Sequence, residues 1–295
     1  MQNTLKVGLM LTLLTALFML MGRAIGGTSG MMLALGLAVA MNVGSYWFSD
    51  KIVLKMTGAQ PVDESSAPEL FRMTQNLVQR ANMPMPALYI IDDPQPNAFA
   101  TGRDPKHAAI AVNSGLLNLL SRSEIEGVVA HELAHVKHRD TLTMTVVAAL
   151  AGAIMLIAQF GHIAAMFGGG GRDEDGEGTN PLVFIAMLIV APIAASLVQM
   201  AVSRAREFEA DAMAARLTGS PQGLIGALTK LEQGAARIPT HSMSPQTAHL
   251  CIVNPFFGGR GAALANLFST HPPMEKRIAA LSKIQPQPVS SNPWS

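Results

Sequence analysis

Two histidines one helical turn apart, with a glutamate beside the first, are the residues of this chain best placed to do chemistry: His131-Glu132-Leu133-Ala134-His135. Positions four apart share a helix face, so both imidazoles can reach one ion. Neutral imidazole nitrogens suit Zn2+ at about 2.0–2.1 Å. Glu132 would project beside such an ion rather than onto it. There it could accept a proton from a water whose acidity the metal has raised. The chemistry this pattern points to is hydrolysis, with His131 and His135 as ligands and Glu132 as general base. The competing reading is a helix that carries two surface histidines and no metal.

A catalytic zinc takes three protein ligands and keeps one position open. Cys251 is the only cysteine, which excludes a thiolate cage and an intrachain disulfide. In Glu207-Phe208-Glu209-Ala210-Asp211, Glu207 and Asp211 are four apart and share a face. Glu207 as third ligand, with Asp211 accepting an imidazole N–H, is one assignment. A carboxylate pair on a solvated helix face is the other. Spacing alone leaves both open.

These residues need elements to position them. The spacing of Leu70, Met73 and Leu77 predicts an amphipathic helix over 69–80, ended by Pro84 and Pro86. Strands are expected at 87–91, 97–102 and 108–112, followed by a short helix from Asn113. Ser123, with Glu126 three residues on, reads as the capping box of the helix that carries the histidines. That helix ends near Arg139-Asp140 or runs on into the apolar stretch beyond. Helices are also expected at 203–217, at 221–236 and from about Pro272. The stretch 238–261 is punctuated by Pro and Gly, and a Pro/Ser-rich tail from Gln285 is expected to be disordered.

Of the 295 residues, 49% are hydrophobic and 14% charged, against about 25% charged in an ordinary soluble domain. Four long apolar runs carry the excess: 7–22, 30–48, 141–167 and 181–201. Each approaches the ~20 residues that a helix needs to cross a bilayer. A cleaved signal peptide is the alternative for the first run, and a buried helical hairpin for the last two. Lys51, Lys55, Lys137, Arg139, Arg204 and Arg206 gather on one side of the spans; only Arg23 and Arg172 fall on the other. The positive-inside rule then places 51–140, 204–295 and both termini in the cytoplasm. The expected domains are a pair of transmembrane helices at 1–50, a first catalytic part at 51–140, and a transmembrane hairpin with an acidic outer loop at 141–203. A second catalytic part at 204–284 and the tail at 285–295 complete the chain. A net charge of +1 gives no support to nucleic-acid binding.

The ordered set of motifs resembles the HtpX family of bacterial membrane metallopeptidases, relatives of the CAAX prenyl proteases and of Oma-type peptidases. It comprises 131–135, Ser203-Arg204-Ala205-Arg206-Glu207-Phe208-Glu209-Ala210-Asp211, Ser269-Thr270-His271-Pro272-Pro273, Asn97-Ala98-Phe99-Ala100 and Thr247-Ala248-His249-Leu250. The resemblance runs from the first span to about Leu281. It implies a mainly α fold with a small β-sheet: four membrane helices and a zincin-type cytoplasmic catalytic domain. It implies one Zn2+ per chain on His131, His135 and Glu207, with Glu132 as base and Asp211 orienting a ligand. His271 and Arg277 would be candidates to stabilise the oxyanion. Asn97, Ala98, Phe99 and Ala100 would lie on an edge strand that receives an extended peptide. The implied activity is endopeptidase cleavage of misfolded or damaged membrane proteins in the bacterial inner membrane, under stress. The bilayer and protein substrates would be its partners. The rivals are a CAAX-type prenyl protease, an intramembrane protease and a non-catalytic metal-binding scaffold.

Overall fold

The structure, a computed structural model, describes residues 2–141, 204–235, 252 and 272–286. The third and fourth apolar runs, apart from Thr141, and His271 lie outside these residues, as does most of the tail.

The chain divides into two compact units, one holding Met1–Tyr46 and the other starting at Trp47 and resuming after the 142–203 segment. Helix α1 (Gln2–Met56) begins in the first unit, ends in the second, and is broken within the first at Gly26 and Gly27. Gly27 has φ 58°, a conformation that a residue with a Cβ rarely adopts. The break folds one arm back on the other: the Asn42 side-chain amide donates to Thr15 Oγ1 at 3.0 Å. A Cβ on Gly22 would strike the Gly30 carbonyl and lie 2.5 Å from the Ala34 methyl group, so small residues set the separation of the arms. Among the described residues, only the stretch Gly26–Gly44 meets the length and apolarity needed to cross a membrane. The two N-terminal runs expected to span the bilayer thus fall on the two arms, but only the second meets that test.

The second unit is built around a four-stranded sheet in the order β1-β2-β4-β3. Its strands are β1 (Gln60–Val62), β2 (Ala87–Ile91), β3 (Ala98–Gly102) and β4 (Ala108–Asn113). β2 and β4 run parallel; β1 and β3 are antiparallel to their neighbours, and β3 lies at an edge. Side chains alternate across β4, as a period of two requires. Ala108, Ile110 and Val112 enter the main core, whereas Ala109 and Ala111 face Val53, Leu54 and Phe99 on the other side. The main core lies between the sheet and α2 (Pro68–Ala81), α4 (Arg122–His138), α5 (Arg204–Thr218), α6 (Gln222–Ala235) and α7 (Met274–Leu281). A short helix α3 (Ser114–Leu119) links β4 to α4.

Helix α4 is central, with every residue from Gly127 to Val136 buried. Its cap sits two residues earlier than the sequence predicts. Ser121, not Ser123, is the N-cap, and its backbone N–H donates to Glu124 Oε2 at 2.7 Å. Both pairs fit the capping pattern. Glu124 wins because its carboxylate also receives Lys230 Nζ of α6 at 2.7 Å. The helix stops at Arg139, which has φ 59°, so it is not continuous with the apolar stretch beyond.

Helices α4 and α6 touch at glycine. A Cβ on Gly127 would meet the Leu224 backbone nitrogen at 2.6 Å. Gly127→Ala should therefore force the helices apart and cost about 1–3 kcal/mol, read as a lower midpoint of thermal unfolding.

Candidate metal centre

Helix α4 is a seventeen-residue element whose buried face carries His131, Glu132 and His135. Helix α5 lies against it and offers Glu207 from its first turn, one turn before Asp211. Ala210 and Ala214 are fully buried, and small side chains of this kind allow two helices to approach closely. Helix α7 supplies Arg277 from the third side.

His131 Nε2 and His135 Nε2 lie 3.2 Å apart. Glu207 offers Oε2 at 3.6 Å from the first and Oε1 at 3.5 Å from the second. The other imidazole nitrogens face carboxylates. His131 Nδ1 is 3.0 Å from Asp211 Oδ1, and His135 Nδ1 is 3.4 Å from Asp140 Oδ2. A carboxylate beside each Nδ1 favours the tautomer that keeps the proton there. Both Nε2 lone pairs then converge with a carboxylate at one point, which is repulsive unless a cation lies between them. Ligand atoms ~2.0–2.1 Å from one tetrahedral zinc lie ~3.3 Å from one another. The donor set and its spacing fit zinc: His131, His135 and Glu207 offer atoms all within 4.8 Å of one another.

Charge around the ligands is arranged in pairs. Arg277 is completely buried and grips Asp211 with two donors, Nε at 2.9 Å and Nη2 at 2.6 Å. Its Nη1 is 3.4 Å from Glu207 Oε2, and Nη2 is 3.3 Å from His131 Nε2. Burial alone would raise the Asp211 carboxyl; the Arg277 guanidinium outweighs it and holds Asp211 at about 2. Because that value is depressed, the stabilisation it represents is complete above the usual aspartate range and fades as pH falls toward 2. Burial and Arg277 would each lower His131. The carboxylates of Asp211 and Glu207 prevail and push it up to about 9, so the site draws positive charge.

Glu132 is 6% exposed, and burial pushes its carboxyl up. The Ala100 backbone N–H on β3 donates to it. The base and the edge strand are thus in direct contact. Asn97 is buried just before β3, where its Oδ1 accepts the Ile252 backbone N–H at 3.0 Å. Ala98, Phe99 and Ala100 lie on the strand itself.

Sequence reasoning did not single out Asp140 or Arg206 as parts of the site. No spacing rule leads to Asp140, because it reaches His135 only after the left-handed turn at Arg139.

Residues 64–285 match the model of a known family, Peptidase family M48. The chain belongs to this family. Similar M48 members include a protease HtpX homolog of Ralstonia nicotianae, 55% identical over 281 residues, covering 95% of this chain and 96% of that one. Another, of Ralstonia pickettii, is 54% identical over 284 residues, covering 96% of each. The crystal structure of Ste24p from S. mikatae shares the fold, with a TM-score of 0.50 and 19% identity. It covers 95% of this chain, which spans 64% of that one. This M48 chain is a membrane-bound zinc metalloprotease, a hydrolase whose substrates are proteins, and it carries a His-His-Glu group able to bind a metal ion.

Proposed function

We propose that this metalloprotease is an endopeptidase that cleaves misfolded or damaged membrane proteins at the cytoplasmic face of a bacterial inner membrane. The observation that carries the reading is the contact between Glu132 and the edge strand β3, which joins the candidate hydrolytic site to the kind of element that can pair with an extended peptide. The multi-pass layout and the cytoplasmic placement of the catalytic unit rest on the Lys and Arg bias around the apolar runs.

Asn97 C=O accepts the Asn113 N–H at 2.8 Å. Antiparallel pairing then turns the backbone groups of Asn97, Phe99 and Thr101 toward β4, and those of Ala98, Ala100 and Gly102 away from it. A substrate strand would pair with Ala98 and with the Ala100 carbonyl, recognised by its backbone more than by its side chains. This tolerance suits a protease whose substrates share a damaged state rather than a sequence.

His131, His135 and Glu207 would hold the zinc, with Asp211 fixing the His131 tautomer. Zinc held there would supply Lewis-acid chemistry, able to acidify a water and polarise the scissile carbonyl. Glu132 takes the proton of the attacking water and delivers it to the leaving amine. Its burial makes it a stronger base than a solvated glutamate. Arg277, locked in place by Asp211, would present Nη2 beside the ligand set, where negative charge develops on the substrate oxygen. His271 would be the second donor to that oxygen.

The test is cleavage by the full chain in membranes, with an unfolded multi-spanning protein, its folded form and a prenylated C-terminal peptide as substrates. Internal cleavage of the unfolded protein is expected. Removal of the last residues of the prenylated peptide alone would establish the CAAX-type alternative.

A further inference from the structure

Each ligand histidine is backed by a carboxylate, and each carboxylate by a buried arginine. His131 has Asp211 and Arg277; the second series has no role in the mechanism above. Asp140 is fully buried, and its Oδ2 is 3.4 Å from His135 Nδ1. Its Oδ1 accepts from Arg206 Nη1 at 2.9 Å, and Arg206 is itself 8% exposed.

The chain path makes this second pair unlike the first. The turn at Arg139 breaks α4 and brings Asp140 back beside the helix it has just left. Thr141, next in sequence, donates its hydroxyl to the Gly102 carbonyl at the end of β3, at 2.9 Å. The apolar hairpin expected from sequence follows at once. Arg206 lies in the first turn after it and immediately precedes Glu207. The ion pair therefore closes across the points where the chain leaves and re-enters the catalytic unit, directly behind a metal ligand.

We propose that Asp140 and Arg206 are positioning residues. Asp140 holds His135 in the orientation and tautomer that ligate zinc, and Arg206 clasps Asp140 across the two ends of the 142–203 segment. Neither touches the reacting atoms. Outer carboxylates of this kind typically contribute ~10–100-fold to metal affinity.

The inference rests on the His-His-Glu ligand assignment, and one experiment separates the two. Zinc affinity of the full chain in detergent is measured by chelator competition, and Co2+ spectra report ligand geometry. Wild type is compared with Asp140→Asn, Arg206→Gln and the double variant. The double variant removes both charges at once and leaves neither buried alone, so it keeps a folded protein available. A fall of ~10–100-fold in zinc affinity is expected in all three, with an altered Co2+ spectrum. A merely structural pair would leave the affinity and the spectrum of the folded double variant at wild-type values, and that result overturns the proposal. If wild type itself binds no zinc, the ligand assignment fails and the inference falls with it.

Discussion

Glu132→Gln should lower peptide cleavage by about 10²–10⁴-fold while the chain keeps its zinc. The substitution preserves size and shape and removes only the ability to take a proton. Among the described residues the group placed to ligate an ion is His131, His135 and Glu207, and Glu132 is not part of it. The amide can still meet the Ala100 N–H through its oxygen, so β3 should stay in place. Cleavage of an unfolded membrane protein and zinc content, measured on the same preparation, check this. Equal cleavage by both forms would remove Glu132 from the mechanism. Loss of zinc would show that it supports the metal rather than the proton transfer.

Arg277→Met should cost about 3–5 kcal/mol of stability, the range for removing one partner of a buried ion pair. Among the described residues Arg277 is one of the largest fully buried side chains, and its guanidinium meets Asp211 and Glu207 at once. Methionine fills much of the volume but leaves Asp211, 2% exposed, without its compensating cation. Arg277→Lys should fall between, because an ammonium keeps the charge but cannot match the carboxylate with two parallel donors. Thermal unfolding of the purified chain reads the order wild type, Lys, Met. An unchanged midpoint for Met would mean that Arg277 does not hold the helices around the site together.

Much of the catalytic unit was legible because its periodicities are clean. Leu70, Met73 and Leu77 marked α2, and the apolar run 108–112 marked β4 without showing which residues face which side. β1 gives no signal because it has three residues, is mostly exposed and contains Pro61. α4 was harder to bound. A helix buried along its whole middle has no polar face to mark its ends, and two overlapping capping patterns compete at its start. Arg139 ends it in a left-handed conformation that an asparagine or glycine would have signalled.

The site divides along the same line. His131, Glu132 and His135 are local to one helix turn and speak through spacing alone. Glu207 and Asp211 share a face, but nothing in their own spacing says that the face is buried against α4. The structure makes both almost fully buried, which a solvated carboxylate pair would not be. Asp140 and Arg206 are 66 positions apart in sequence and meet only through the fold.

Glu207 must complete a single zinc site with the two histidines for Glu132 to have a metal-activated water to deprotonate. Metal content of the full-length chain after dialysis against a weak chelator tests this, with Glu207→Gln beside wild type. One zinc per chain is expected in wild type and close to none in the variant. A variant that retains a full equivalent of tightly held zinc would contradict it.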